Sequence, residues 1–402
     1  VRRIMNSWIQ QGGYPLVTIE RASPNSVQIS QERFSFLPAE QPQEWAIPLV
    51  LAVGGAGTDG SRRRHAVLLD APRAEVDLGP APFTWIAGNA GANGFYRVRP
   101  SGPLRRGNIA SLGELHGVER YGFLDDTWAG FVAGDLPIAE VLDLVRAIAA
   151  SEDDIAVWRR VLAIVREIDK HLVGESRTNH RAEFIDVIRT ALQRVGAEPS
   201  ESEAAQLGEL RASLFETGGV LADPDLNALA RSLITTPADP ARTAAAVRVV
   251  AVNGDSDDFA DFLHRYETAT SPQEERRYLF ALPSFRGAQE IAAVLELLDA
   301  ERIRSQDGGF VLGHLLAQNG AAARAWTYIE DNWDAIGRRY PDNSLPRMMD
   351  GAAAVADADV AAAIDTFFET HDLPQAGPRL LQQLERMRIN VALRARVREQ
   401  LG

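Results

Sequence analysis

The chain has 402 residues, 46% hydrophobic and 24% charged, a composition that excludes a disordered tail or a fibre and is long enough for two domains or one elongated array. Its 42 basic residues, of which only Lys170 is a lysine, face 55 acidic ones for a net charge of −13, which argues against nucleic acid as the main partner because phosphate binding needs a concentrated cationic face. There is no cysteine, so disulfides, thiolate nucleophiles and cysteine-ligated zinc or iron–sulfur sites are excluded, and no apolar run approaches the roughly 20 residues of a membrane span.

The chain opens Val1-Arg2-Arg3-Ile4-Met5-Asn6-Ser7-Trp8-Ile9 without an initiator methionine. Ile4, Trp8 and Ile9 fall on one face of a short helix that Gly12-Gly13 ends. A helix this short is marginal alone in water, so it needs a neighbour. We read it as part of a segment cut from a longer protein, the alternative being a terminal helix packed on its own domain.

From Tyr14 to about Arg99 the signals are β. Val17 and Ile19 alternate with polar residues, Ser23-Pro24-Asn25-Ser26 makes a turn, and Val27 and Ile29 alternate again. Strand-like runs follow at Trp45 to Val53, His65 to Asp70, Phe83 to Ile86 and Phe95 to Val98. Short strands separated by Gly/Pro turns predict a small all-β sandwich over 13–102.

After Pro100 and Pro103 the apolar period becomes 3.6 and stays there. Ile138, Val141, Leu142, Val145 and Ile148 make one stripe; Ile155, Trp158, Val161, Leu162, Val165 and Ile168 make the next. Asp223-Pro224, Asp239-Pro240 and Ser271-Pro272 pair a cap residue with proline at the first helical position, and Ser200 with Glu203 and Ser271 with Glu274 fit the reciprocal capping box. Such helices over 103–402 predict a large all-α superhelix, a HEAT/armadillo-like solenoid of stacked pairs, with one large bundle as the competing architecture.

No constellation in the sequence carries a reaction. Gly55-x-Gly57-x-x-Gly60 follows a strand-like run but leads into another strand, so it reads as a hairpin loop and Arg62, Arg63 and Arg64 as solvated loop charges. No two of the seven histidines have the i, i+4 spacing of a zinc site; His180 with Glu183 reads as a surface pair. Asp125-Asp126 and Asp153-Asp154 are neighbours whose side chains point apart on a helix, not catalytic dyads. Trp128, Trp158, Trp326 and Trp333 read as core fillers. Arg286, Arg304 and Gln306 flank two consecutive helices; guanidinium forks suit carboxylates, with structural ion pairing as the plainer role.

Several segments, in order, resemble the C-terminal half of the zinc aminopeptidases of the aminopeptidase N and puromycin-sensitive aminopeptidase type. Met5 to Val17 looks like that family's junction between catalytic domain and sandwich. Ile29 to Phe34, Trp45 to Leu49 and Asn93 to Val98 resemble its strands; Glu119 to Ala129 resembles the first helical pair; Arg304 to Asp307 and Ala325 to Trp333 match later helices. The second glycine of Gly12-Gly13 and the long Gly54 to Gly60 loop depart from the pattern. The resemblance makes 1–12 the tail of a missing catalytic domain. It implies a metallopeptidase (a hydrolase) as parent, with zinc held by an H-E-x-x-H helix and a substrate amine bound by a G-x-M-E-N loop. Neither motif occurs here.

The resemblance therefore implies a chain without catalytic residues or metal ligands of its own, not an enzyme in isolation. The helical domain would close the parent's chamber, control peptide access, and contact a peptide's carboxylate end through Arg286, Arg304 and Gln306. Its partners would be peptide substrate and the N-terminal catalytic half, with no nucleic acid and no membrane. The competing readings are a stand-alone α-solenoid module that binds a peptide or protein, and a self-contained hydrolase whose side chains converge unseen. The missing cysteines favour the cytoplasm.

Overall fold

The computed structural model describes residues 2–38, 43–55, 62–196, 205–236 and 240–402, and the chain divides into two compact units, Val1–Ile164 and Val165–Gly402.

The first unit begins with helix α1 (Arg2–Ile9), followed by β1 (Pro15–Arg21), β2 (Ser26–Arg33), β3 (Ile47–Gly54), β4 (Arg63–Leu69), β5 (Arg73–Asp77), β6 (Trp85–Ala87) and β7 (Arg97–Pro100). These strands form a four-stranded sheet ordered β5-β2-β1-β7 and a three-stranded sheet ordered β4-β3-β6. Ile19 lies opposite Ile29 in the antiparallel β1–β2 pair, while β7 runs parallel to β1. Because successive strand residues face opposite sides, Val17, Ile19, Val27 and Ile29 from one sheet meet Ile47, Leu49, Leu51 and Val53 from the other in one buried cluster.

Strand β5 alternates over only five residues, too short a run to stand out in sequence. Only Ala74 and Val76 of Arg-Ala-Glu-Val-Asp turn inward, which is the composition of a charged edge strand. Phe95 lies outside β7 and is 71% exposed, its ring 5.3 Å from Tyr14 and 6.3 Å from Trp8. Helix α1 packs on the sandwich through Trp8, whose Nε1 donates to the Ala46 carbonyl at 3.1 Å. Its apolar face is narrower than the spacing suggests, since Ile9 is 67% exposed.

The strands on either side of the glycine-rich run, β3 and β4, pair antiparallel, as its sequence context predicts. Gly57 and Gly60 lie outside the described residues. The arginines after it are not all solvated loop charges. Strand β4 starts at Arg63, whose guanidinium donates to the carbonyls of Leu78 at 3.2 Å and Ala81 at 2.8 Å, and Arg62 pairs with Glu119.

Helices α2 (Gly102–Ala110), α3 (Gly117–Ala133) and α4 (Ile138–Ala149) complete the first unit with the start of α5 (Ile155–His171). Asn108 of α2 both accepts from the Ile86 amide at 2.8 Å and donates to its carbonyl at 2.9 Å, standing in for a strand partner at β6. Asp125 and Asp126 on α3 do not simply diverge. Arg97 approaches from β7 between them, so that one Nη1 reaches Asp125 at 2.7 Å and Asp126 at 2.9 Å. Asp126 also accepts from the Val98 amide at 2.9 Å, and Asp125 from Arg160 at 2.7 Å. The adjacent carboxylates thus clamp strand β7 to α3, a role their sequence spacing hid.

The second unit takes in the rest of α5 and is helical throughout: α6 (Gly174–Val195), α7 (Ala205–Val220), α8 (Pro224–Thr235), α9 (Pro240–Asn253), α10 (Ser256–Glu267), α11 (Pro272–Leu279), α12 (Ala288–Asp299), α13 (Ser305–Ala317), α14 (Ala322–Asp331), α15 (Trp333–Arg339), α16 (Leu345–Met349), α17 (Ala358–Phe368) and α18 (Pro378–Leu401). With the sandwich before it, this is the predicted order of a small β region and a large solenoid-like α region. Asp223 caps α8, accepting from the amides of Asp225 at 2.9 Å and Leu226 at 3.2 Å. Ser271 accepts from the Glu274 amide at 3.2 Å, but the Glu274 carboxylate takes the Thr270 amide at 3.4 Å, so only half of that capping box forms. A complete box was overlooked at Asp255, which accepts from the Asp258 amide at 3.1 Å while Asp258 accepts from the Asp255 amide at 3.2 Å. Glu203 and Asp239, invoked in two other predicted caps, lie outside the described residues. Trp326 is buried and meets Phe367 edge-on with centroids 5.4 Å apart, as Trp333 does at 5.2 Å.

The unit's beginning is stitched to its end. Lys170 Nζ donates to the Ala354 carbonyl at 2.7 Å, the Lys170 carbonyl accepts from Asn319 at 2.6 Å, and the His171 carbonyl accepts from Arg398 of α18 at 3.1 Å.

The seat of α2 is tested at Gly107, where an added Cβ would lie 2.0 Å from the Thr84 carbonyl oxygen. We expect Gly107→Ala to cost about 1–3 kcal/mol through overpacking, read as a lower midpoint in urea unfolding. Gly113→Ala, with nothing within 4 Å, is the control and should change stability little.

Candidate functional site

The sequence-predicted residues fall into two places in the second unit. Arg286 follows the short helical turn Leu282–Ser284 and is open to solvent. The protein packed around it nonetheless lowers its pKa to about 10, helped by Arg177 and Arg181 and opposed by Asp169. Those two arginines stand four residues apart on one face of α6, and both close on Asp169 at the end of α5, Arg181 at 2.6 Å and Arg177 at 2.8 Å. Burial pulls the Asp169 carboxyl upward, but hydrogen bonds from Arg181 and Arg177 outweigh it and hold it below the usual carboxylate range. One carboxylate here serves a neighbourhood of three guanidiniums.

Arg304 and Gln306 instead share the start of α13, both exposed. Arg304 makes the structural ion pair that was the plainer reading, reaching Glu275 of α11 at 2.9 Å. It has no recorded partner in common with Arg286.

A solvent-open groove of about 480 Å³ lies among α7, α9, α11 and α13. Its floor is built from small residues, Ala212, Ala241, Ala244, Ala245 and Ala281, so the helices leave room where larger side chains would fill it. Its cations are Arg248, Arg276 and Arg277, and among the described residues its only lining acid is Glu216, which faces Arg248 at 3.3 Å and Arg166 at 3.9 Å. Burial lowers Arg166, with Glu216 opposing and Arg248 adding to the shift. Phe280 lies under the Arg276 guanidinium at 5.3 Å and edge-on to His314 at 5.7 Å. Burial and Arg248 push the His314 imidazole below its ordinary value, which keeps it neutral at pH 7.

Sequence reasoning missed this groove. Its available signal was helical spacing: Arg276 with Phe280, and Gln306 with Phe310 and His314, each recur at i, i+4 on one face. His180 and Glu183 form the expected surface pair, Nδ1 to Oε2 at 3.9 Å. Among the described residues no group of three or more His, Asp and Glu side chains could hold a metal ion. What the arginines and neighbouring aromatics offer is recognition of carboxylates beside apolar groups.

The Asp169 cluster has a pH signature. A carboxyl whose folded pKa is depressed contributes stability above its unfolded value of about 4, and the contribution is lost as pH falls. We expect Asp169→Asn to cost roughly 2–3 kcal/mol at pH 7, because it strands half-buried cations. The gap between the two proteins in urea unfolding should narrow as the pH is lowered below about 4; a constant gap would disprove the linkage.

Residues 85–389 match the family described as ERAP1-like C-terminal domain. Over 97% of its length the chain is 26% identical to Aminopeptidase M1 of Arabidopsis thaliana, covering 47% of that protein. It is 26% identical to Aminopeptidase M1-A of Oryza sativa subsp. japonica, covering 46%, and 25% identical over 82% of its length to the Puromycin-sensitive aminopeptidase of Caenorhabditis elegans, covering 36%. The chain thus spans at most about half the length of these curated relatives. With three quarters of its residues inside the match, and with a sandwich and helical unit in the order its sequence predicted, the chain belongs to the ERAP1-like C-terminal domain family.

Proposed function

We propose that this chain is the non-catalytic C-terminal region of a zinc-dependent aminopeptidase, closing the catalytic chamber and controlling which peptides enter it. The observation that carries this reading is the match to aminopeptidases over 97% of this chain but about half of theirs. In this assignment 1–12 is the tail of the catalytic domain, 13–102 the sandwich and 103–402 the helical superhelix. Zinc belongs to the catalytic half; the described His, Asp and Glu residues do not fit it. The work of this chain therefore rests on its shape and its arginines. Arg286, Arg304 and Gln306 are assigned to the carboxylate end of a peptide whose amino end lies at the zinc. Enclosure would strengthen these contacts by excluding water. Among the described residues no helix is long and apolar enough to cross a membrane, and we place the protein in the cytoplasm, where a chain without cysteine needs no oxidising environment.

The test uses the intact parent enzyme with decapeptides and with leucine anilide, which is too short to reach these residues. Arg286→Ala and Arg304→Ala should each lower kcat/KM for the decapeptide about tenfold, the worth of one charge-assisted hydrogen bond, and leave the anilide unchanged. Equal effects on both substrates, or none on either, would overturn the assignment. The purified 402-residue chain should neither hydrolyse the anilide nor bind zinc stoichiometrically; sustained turnover would reject the proposal outright.

A further inference from the structure

We infer that the groove among α7, α9, α11 and α13 selects peptide segments carrying an acidic side chain next to an apolar one. The inference rests on the proposed reading of this unit as a peptide-binding surface and adds the class of peptide it prefers.

The first argument is charge. The chain as a whole is acidic, 55 to 42, and its arginines commonly find a carboxylate: Arg189 on Asp223, Arg231 on Asp258, Arg379 on Asp350 and Arg388 on Asp365 are all within 3 Å. The groove reverses both trends. Among the described residues Glu216 is the only acid lining it, and Arg166 and Arg248 already approach that carboxylate. The guanidiniums of Arg276 and Arg277 have no ion pair among the described residues, Arg276 resting on the Phe280 ring instead. Cations crowded into a concavity with too few counter-charges raise the local concentration of anions and favour a ligand that supplies the missing carboxylate.

The second argument is the wall. Phe280 lines the groove, and Phe310, just outside its lining and 38% exposed, meets it edge-on with centroids 6.3 Å apart. His314, held neutral, continues the same face, so an apolar surface stands directly beside the cations. A mobile inorganic anion has no use for such a wall, whereas a Glu or Asp followed by an apolar residue satisfies both halves. The alanines leave space for backbone, and a volume of about 480 Å³ lies within ligand-pocket sizes of about 300–1,000 Å³. The acidic surface elsewhere on the chain disfavours nucleic acid as the occupant.

The experiment is fluorescence anisotropy with the full 402-residue chain and three labelled decapeptides that differ only at two central positions flanking a phenylalanine: Glu, Gln or Lys. The Glu peptide should bind about tenfold more tightly than the Gln peptide, equivalent to about 1.4 kcal/mol, and the advantage should shrink between 50 and 300 mM salt. A double change, Arg276→Gln with Arg277→Gln, should abolish the Glu advantage and leave Gln-peptide affinity within twofold, with an unchanged thermal midpoint showing that the fold is intact. Equal affinity for Glu and Gln peptides overturns the acidic preference and leaves the peptide-binding reading standing. Failure of all three peptides to bind at millimolar concentration overturns both. A single-stranded DNA oligonucleotide or heparin binding as tightly as the Glu peptide marks a general polyanion surface and overturns the inference.

Discussion

Three consecutive residues, Asp169, Lys170 and His171, fix the helical unit. Each spends a different group on a different segment. The Asp169 carboxylate gathers Arg177 and Arg181 from α6, the Lys170 ammonium and carbonyl tie to Ala354 and Asn319, and the His171 carbonyl takes Arg398 of α18. A stack of helices in which each touches mainly its neighbours is otherwise a quasi-one-dimensional object, free to bend at every joint. Joining its first turn to its last replaces many small bending freedoms with one closed circuit of hydrogen bonds. The positions of Arg286 and the groove helices relative to one another are then set by more than nearest-neighbour packing.

Arginine does most of the polar tying in both units. Its guanidinium carries several donors, and a single Nη1 of Arg97 holds two adjacent carboxylates of α3 that would otherwise repel each other beside strand β7. Glu119 is served similarly: although burial raises its pKa, the bonds from Arg62 and from the His116 and Gly91 amides bring it below the usual range. Arg276 and Arg277 line the groove without an ion pair among the described residues, and Arg286 is open to solvent. Guanidiniums placed this way without a carboxylate give a surface suited to an incoming anion.

The architecture was legible in sequence wherever a periodic pattern had a single cause. The strands of the sandwich core alternate because one face is buried, and α4 and α5 show stripes because one side packs. Asp223 announced its cap by being followed by proline. Legibility failed where a residue's role depends on a partner far along the chain. Asp125 and Asp126 read as diverging neighbours because nothing local reveals Arg97 between them, and the charged edge strand β5 takes its pairing from β2. The Asp255 box was overlooked because Asp258 fills a position where Glu or Gln is usual. The same limit applied to the site. Arg286, Arg304 and Gln306 could be picked out as arginine-rich helix ends and by family likeness, but the groove is assembled from four helices whose exposed faces converge only after the chain has folded.

Lys170 gives this fold an unusual chemical simplicity. It is the chain's single lysine, its side chain is only 22% exposed, and burial lowers its pKa while its ammonium is engaged with the Ala354 carbonyl. Acylation requires a free, deprotonated amine, so a mild ester reagent can reach this nitrogen only when the circuit at Ala354 parts. The rate at which acylation appears at Lys170, read on its own peptide apart from the α-amine, is therefore a clock for the breathing of the helical unit, supplied by the native sequence without any introduced label.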